Sequence, residues 1–414
     1  MSEVRDLALA ASGEKKIAWA WQYMPLLREL KADFEKAKPF RGVKITLSVH
    51  MEAKTACLCR TLEGGGAEMH ATGCNPLSTQ DDVAAALAAG GMDVHAWHGA
   101  TVDEYQRHLT MALEPGPNII IDDGGDLVNI MHTKLQHLAP GVFGGCEETT
   151  TGIKRLRSMS ADGTLKFPMI AVNNANCKYL FDNRYGTGQS VWDGINRTTN
   201  LIVAGKSVVI AGYGWCGKGI AMRAKGFGAK VIITEVDPVK ALEAMMDGFE
   251  VKTMDEAVKT GDLFITATGC SGIITESHFG SLKDGAILCN AGHFNVEVDV
   301  GWLDKNAVRR EQKPNIMGYT LGNGKTVFVL AEGRLVNLAS GDGHPVEIMD
   351  MSFAIQALSA QYLVKNHKSL PIGVIPVPAE IDFDVAHKKL AACGLSIDRL
   401  TEEQEKYLNS WALE

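Results

Sequence analysis

The side chains best able to move protons in this chain are His50, Asp123, Asp126, the pair Glu147-Glu148 ahead of Thr149-Thr150-Thr151-Gly152, and Lys178 close to Asp182-Asn183. A histidine, several carboxylates and a lysine supply the acids and bases of general acid–base catalysis. Each has a plainer reading. The glutamate pair beside three threonines fits an acidic helix start with hydroxyl caps, and Lys178 fits an ordinary surface lysine.

A second constellation handles a cofactor. Gly205–Ala211 reads as a buried strand, followed by Gly212-Tyr-Gly214-Trp-Cys-Gly217 and a helix over Ile220–Lys225. Gly212 permits the tight turn, Gly214 lets the backbone approach a pyrophosphate, and Gly217 permits close helix–strand packing. The helix N-terminus offers unpaired N–H groups to phosphates. Glu235 ends the next strand, Lys230–Glu235, where it can accept from the ribose hydroxyls of NAD and would repel the extra phosphate of NADP. The cofactor is therefore NAD. Two further apolar strands, Leu263–Ile265 and Ala286–Leu288, lead into Thr266-Ala-Thr-Gly269-Cys270 and Cys289-Asn-Ala291-Gly292-His293. These turns would set small residues and His293 near the nicotinamide. Acid–base groups beside an NAD site suggest a dehydrogenase-like active site between two domains.

The elements that must position these groups follow an α/β rhythm. After a helix over residues 14–38, strands at 43–49, 67–71, 94–97 and 118–122 alternate with helices at 55–64, 81–89 and 102–113. Alternation of this kind makes a parallel sheet. His50, Asp123 and Asp126 fall just past strand ends, where ligands of such sheets sit. Trp19, Trp21 and Tyr23 read as core packing. A second unit of βα alternation runs from about 190 to about 340. The chain is helical from Leu358, loop-like around Pro371, Pro376 and Pro378, and closes on a polar helix near Glu402–Asn409. The fold class is α/β with two doubly wound parallel-sheet domains, one of them a Rossmann domain.

Composition excludes several function classes. The chain has 414 residues, enough for two full cores, with 46% hydrophobic and 22% charged residues. Its net charge is −8, from 41 basic and 49 acidic side chains, and no Lys/Arg cluster marks a nucleic-acid face. Nine cysteines without a C-x-x-C pair argue against a disulfide framework or structural zinc, so no metal is expected. The polar N-terminus and the lack of an apolar run of ~20 residues point to a cytoplasmic protein outside any membrane.

Ser78-Thr-Gln80-Asp81, Asp122-Asp-Gly-Gly-Asp126, Glu147-Glu-Thr-Thr-Thr-Gly152, Phe181-Asp-Asn183, Gly212 to Gly219, Ala331-Glu-Gly-Arg-Leu-Val-Asn337 and Gly343-His344-Pro345 follow one another along the chain. Together they resemble the S-adenosylhomocysteine hydrolase family over nearly its full length. The resemblance implies that NAD oxidises the ribose 3′ carbon, which makes the 4′ proton acidic. Homocysteine then leaves the 5′ position, water adds, and the hydride returns. It further implies that Lys178 with Asp182 works on the 3′-hydroxyl and that Glu148, with Thr149, holds the ribose. Asp123 would serve the 4′ proton, and His50 the leaving thiolate and incoming water. Asn173 and Asn183 would be hinge positioners. Thr149, Thr150, Thr151, Glu235, Cys270, Ala291, Gly292, His293, Asn337 and His344 would line the NAD site, with His344 also over the substrate base beside Leu335, Met349 and Phe353. Thr55 and Gln80 would lie by the substrate. The implied domains are residues 1–183 and 343–388 for substrate, 184–342 for NAD and 389–414 for oligomerisation, in a homotetramer. A catalytically silent, NAD-binding relative is the reading from another class, and retention of the whole acid–base set speaks against it.

This sequence departs from the family pattern in several places. Thr187 stands where many members carry a thiol, and Lys240 where an Asn often meets the NAD ribose. The end at Trp411-Ala-Leu-Glu414 lacks a Lys/Tyr-bearing tail. In the base pocket, Glu52-Ala-Lys54-Thr55 replaces a pattern whose Glu accepts from the adenine amine. S-adenosylhomocysteine is the first expectation for the substrate. Lys54, which can only donate, makes S-inosylhomocysteine the alternative.

Overall fold

The computed structural model describes residues 2–411. The sequence-level remark on the tail extends over residues 412–414, which lie outside the described residues.

Seven strands of the first sheet come early: β1 (Glu3–Val4), β2 (Lys44–Ser48), β3 (Glu68–Thr72), β4 (Asp93–Ala96), β5 (Ile119–Asp122), β6 (Gly144–Glu147) and β7 (Met169–Ala171). The second sheet holds β8 (Ser207–Ala211), β9 (Lys230–Thr234), β10 (Glu250–Val251), β11 (Leu263–Thr266), β12 (Ile287–Asn290), β13 (Val308–Lys313), β14 (Ile316–Thr320) and β15 (Thr326–Leu330). The chain then returns to the first sheet through β16 (Val374–Pro376), which pairs with β7. The second unit is thus inserted in the first.

The strand orders are β1-β4-β3-β2-β5-β6-β7-β16 and β10-β9-β8-β11-β12-β15-β14-β13. In the first sheet the chain winds outward from β2 to β4, then starts again at β5 on the other side. The second reverses in the same way between β8 and β11. Crevices open at the carboxyl ends of strands flanking such a reversal. All four residues of β5 are buried, as suits a parallel sheet covered on both faces.

Three local expectations differ from the structure. The helix expected over 14–38 is two, Ala10–Gln22 and Pro25–Ala37. Pro25 lacks an N–H and cannot continue a helix, but its fixed φ suits a first position. Trp19 and Tyr23 are exposed and pack on each other, 5.1 Å between ring centroids, rather than in the core. The βα alternation expected to about 340 gives way to antiparallel pairing, with β14 antiparallel to both β13 and β15.

Candidate active site

The first sheet's reversal places His50 two residues beyond β2 and Asp123 directly after β5. Their rings and oxygens meet: His50 Nε2 lies 3.5 Å from Asp123 Oδ2. His293, arriving from beyond β12 of the second sheet, brings Nδ1 to 3.9 Å from Asp123 Oδ1, so residues from the two units face each other here. Ser78 Oγ, 2.7 Å from His50 Nδ1, fixes the His50 ring. Burial pushes the imidazole down to about 4, against the pull of Asp123, so His50 is neutral near pH 7. Thr55 donates to the His50 carbonyl at 2.6 Å.

A second cluster surrounds Lys178. Its ammonium donates to Asn183 Oδ1 at 2.8 Å and lies 3.3 Å from Asp182 Oδ2 and 3.4 Å from Glu148 Oε1. A lysine that acts as a base must shed its proton, which a lowered pKa favours. The structure places it higher than usual: burial opposes the ammonium, but Asp182, Glu148 and Asp123 together outweigh that effect. Asp182 is the carboxylate of the pair. Its burial is overcome by Lys178 and by His344, whose Nδ1 is 2.7 Å away, and its pKa falls below the usual range. Glu148 is the surplus acid. Burial raises it to about 8, so it keeps its proton at neutral pH. Asn183 donates to Asn173 Oδ1 at 3.0 Å, and Asn173 donates to Thr150 Oγ1 at 3.1 Å, linking the hinge residues in one chain.

Ser352 and Gln356 were not singled out from the sequence. Ser352 donates to Asp182 Oδ2 at 2.8 Å, and Gln356 donates to Glu148 Oε2. With Met349 and Phe353 they share one face of the helix Val346–Asn366, at spacings of three and four residues. Asp122 and Glu147, the last residues of β5 and β6, are buried; Asp122 spends both oxygens on backbone N–H groups and Glu147 only Oε1, its Oε2 being buried without a partner. Asp122 accepts from Asp123 and Val128, and Glu147 from Gly124 and Thr149.

Other expected residues have structural work. Asp126 opens the helix Asp126–Thr133 and pairs with Arg155 at 2.7 Å, away from the proton-transfer clusters. Gln80 accepts from Lys16 at 3.0 Å near the surface, so it is not brought to the site. Thr149 caps the helix Thr150–Ala161 by accepting from Gly152 N at 2.8 Å. Lys54 and Glu52 are both buried and paired, with Nζ 2.8 Å from Glu52 Oε2 and 2.8 Å from the carbonyl of Asp342.

The second sheet's reversal fits a dinucleotide. Gly212 has φ +97, a conformation glycine alone adopts readily, and a Cβ at Gly217 would stand 1.9 Å from the Gly212 carbonyl oxygen. No atom lies within 4 Å of where a Cβ at Gly214 would be, which leaves open backbone at the start of the helix Trp215–Gly226. Glu235, one residue past β9, accepts from Tyr213 N at 2.7 Å and so closes the glycine turn from the far side. Buried Glu297, unremarked in the sequence, accepts from Thr268 N at 3.0 Å and Gly269 N at 2.8 Å and shapes the loop leading to exposed Cys270. Ala291 and Gly292 follow β12, with Gly292 N donating to Asn290 Oδ1 at 2.7 Å. Asn337 donates to Ser190 at 3.1 Å, and its Oδ1 is buried without a partner, an acceptor left for a ligand. Leu335 is buried and bridges to Asn290. Lys240 lies at the surface, paired with Asp237 at 3.4 Å. Thr187 replaces the family thiol with a hydroxyl 3.2 Å from His344 Nε2.

A dinucleotide-binding edge facing a cluster of acid–base groups defines an NAD-dependent enzyme. The chain belongs to the S-adenosyl-L-homocysteine hydrolase family. The family's NAD-binding-domain model matches residues 183–343, and its S-adenosyl-L-homocysteine hydrolase model matches residues 1–142. Among curated relatives, the S-inosyl-L-homocysteine hydrolase of Methanocaldococcus jannaschii is 55% identical, covering 99% of both chains. The adenosylhomocysteinase of Thermococcus kodakarensis is 57% identical, covering 99% of this chain and 97% of its own. That of Thermotoga maritima is 55% identical over 97% of this chain and 99% of its own. No helix among the described residues is long and apolar enough to cross a membrane.

Proposed function

We propose that this hydrolase reversibly cleaves a purine nucleoside thioether to the nucleoside and L-homocysteine, and that S-inosyl-L-homocysteine is the thioether it prefers. The observation that carries the choice of base is the buried Lys54 ammonium, donating to the Asp342 carbonyl just before the hinge residues Gly343 and His344. An ammonium only donates; a 6-oxo purine accepts where a 6-amino purine donates. S-adenosyl-L-homocysteine is the second reading. It is supported by Glu52, a buried acceptor whose Oε2 takes both the Lys54 amide and its ammonium.

NAD, when bound, accepts the hydride of the ribose 3′ carbon and returns it at the end. Proton movements fall to the first sheet. Lys178 is an ammonium in the free protein and must lose that proton before it takes the 3′-hydroxyl proton, while Asp182, held as a carboxylate by Lys178 and His344, keeps the lysine in place. Protonated Glu148 donates to the ribose. Asp123 takes the 4′ proton, which can cross the 3.5 Å to His50 and reach the departing thiolate. His50, then neutral again, accepts a proton from the incoming water. The segment from residue 389 to 411 packs against other copies in a homotetramer: Leu395, Ile397, Leu400, Tyr407, Leu408 and Trp411 are all exposed in the single chain.

Purified protein given each thioether, with freed homocysteine detected by a thiol reagent, tests the choice of base. A higher specificity constant for the inosyl compound is expected. A higher constant for the adenosyl compound transfers the assignment to Glu52.

A further inference from the structure

We propose that His50, Cys74 and Asp123 form a binding site for a borderline-soft divalent cation of the Zn2+ type, and that the bound ion holds the enzyme inactive. One ligand atom from each lies within 4.8 Å of the others. The three residues follow β2, β3 and β5, neighbouring strands of one rigid sheet edge. Cys74 Sγ donates to Asp123 Oδ2 at 3.4 Å, and His50 Nε2 lies 3.5 Å from the same oxygen. Bonds of about 2.0–2.3 Å in a tetrahedral zinc site put ligand atoms roughly 3.3–3.8 Å apart, so two of the three separations already fit. The third, sulfur to nitrogen, lies within 4.8 Å.

Two independent features support a ligand here. Metal-bound imidazoles have the far nitrogen held by a polar partner, and Ser78 Oγ stands 2.7 Å from His50 Nδ1. Asp123 Oδ1 is buried with no hydrogen-bond partner, leaving an acceptor pair uncommitted. Thiolate, imidazole and carboxylate on one ion is a donor set suited to zinc. Three protein ligands leave a fourth position for water.

Binding breaks the Cys74 S–H bond and forms an S–metal bond. The proton leaves to solvent, and no oxidation state changes. The ion would occupy the lone pairs of His50 and Asp123. The inhibitory half of the proposal rests on the roles given to those two residues under the proposed function; the binding half does not.

Holoenzyme titrated with Co2+ tests the binding half without any turnover. The expected result is a thiolate-to-cobalt charge-transfer band that saturates at one equivalent, is displaced by Zn2+ and is absent from Cys74→Ser. The serine keeps a hydroxyl donor toward Asp123. In turnover assays the Zn2+ concentration for half-inhibition should rise about tenfold or more in Cys74→Ser. No band in the wild type, or a band that survives Cys74→Ser, overturns the site. A normal band with no inhibition by Zn2+ overturns the inhibitory role and leaves the hydrolase reading standing.

Discussion

The two sheets share a parallel core that reverses once, and they differ in what they place at the reversal. At the first, β2 and β5 run into His50 and Asp123, and β6 and the strand-end loops add Glu147, Glu148 and Lys178. At the second, β8 and β11 run into Gly212 and the Ala267-Thr268-Gly269 loop, where backbone rather than side chains faces the crevice. Under the proposed function, one edge moves protons and the other cradles a charged cofactor with N–H groups. An α/β reversal supplies a location, and the residues set on it decide the chemistry.

The largest expected effect comes from removing what the second edge holds. Protein stripped of cofactor should lose essentially all hydrolysis and regain it with NAD but not with NADP, read as freed thiol. Full activity without cofactor would dissolve the division of labour. Next, Gly217→Ala should weaken NAD binding. Its methyl would stand 1.9 Å from the Gly212 carbonyl oxygen, and overpacking of about 1–3 kcal/mol corresponds to about one to two decades in affinity, measured by fluorescence titration. Unchanged affinity would show that the turn relaxes freely.

At the first edge, Lys54→Glu should move selectivity toward the adenosyl thioether by about a decade, because a buried donor or acceptor left unpaired costs about 1–3 kcal/mol. Equal specificity constants in both proteins would show that Lys54 does not read the purine. The smallest effect concerns pH. Burial raises Glu148 to about 8 from 4.5, so its stabilising proton is fully present below pH 4.5 and lost as pH rises through 8. Glu148→Gln should therefore flatten the fall of the thermal midpoint between pH 5 and 8, by about 1–2 °C. An unaltered slope would mean that Glu148 is ionised at neutral pH.

The sequence made the second edge legible because a glycine fingerprint is local: strand, turn, helix and Glu235 lie within some thirty residues. The first edge was only half legible. His50 and Asp123 could be placed from strand ends, but Ser352 and Gln356 meet partners 170 and 208 residues away. The helix that carries them, Val346–Asn366, is buried almost all round through Leu363, so it shows no amphipathic period to mark its start. Gln80 looked like a site residue because motif position fixes its backbone, while its side chain turns to Lys16. The charge state of Lys178 was not legible: burial alone lowers a lysine pKa, and only the structure shows the carboxylates gathered round it.

The central claim, that the two edges divide redox from acid–base chemistry, is tested most directly by the reduced-nicotinamide absorbance of holoenzyme variants mixed with substrate. Lys178→Ala should give almost no reduced cofactor, because the 3′-hydroxyl proton has no taker. Asp123→Asn should reduce the cofactor and then stall before the thiol is released. Both should turn over at least about two decades more slowly than wild type. Rapid reduction in Lys178→Ala, or release of homocysteine by Asp123→Asn at near the normal rate, would contradict the assignment.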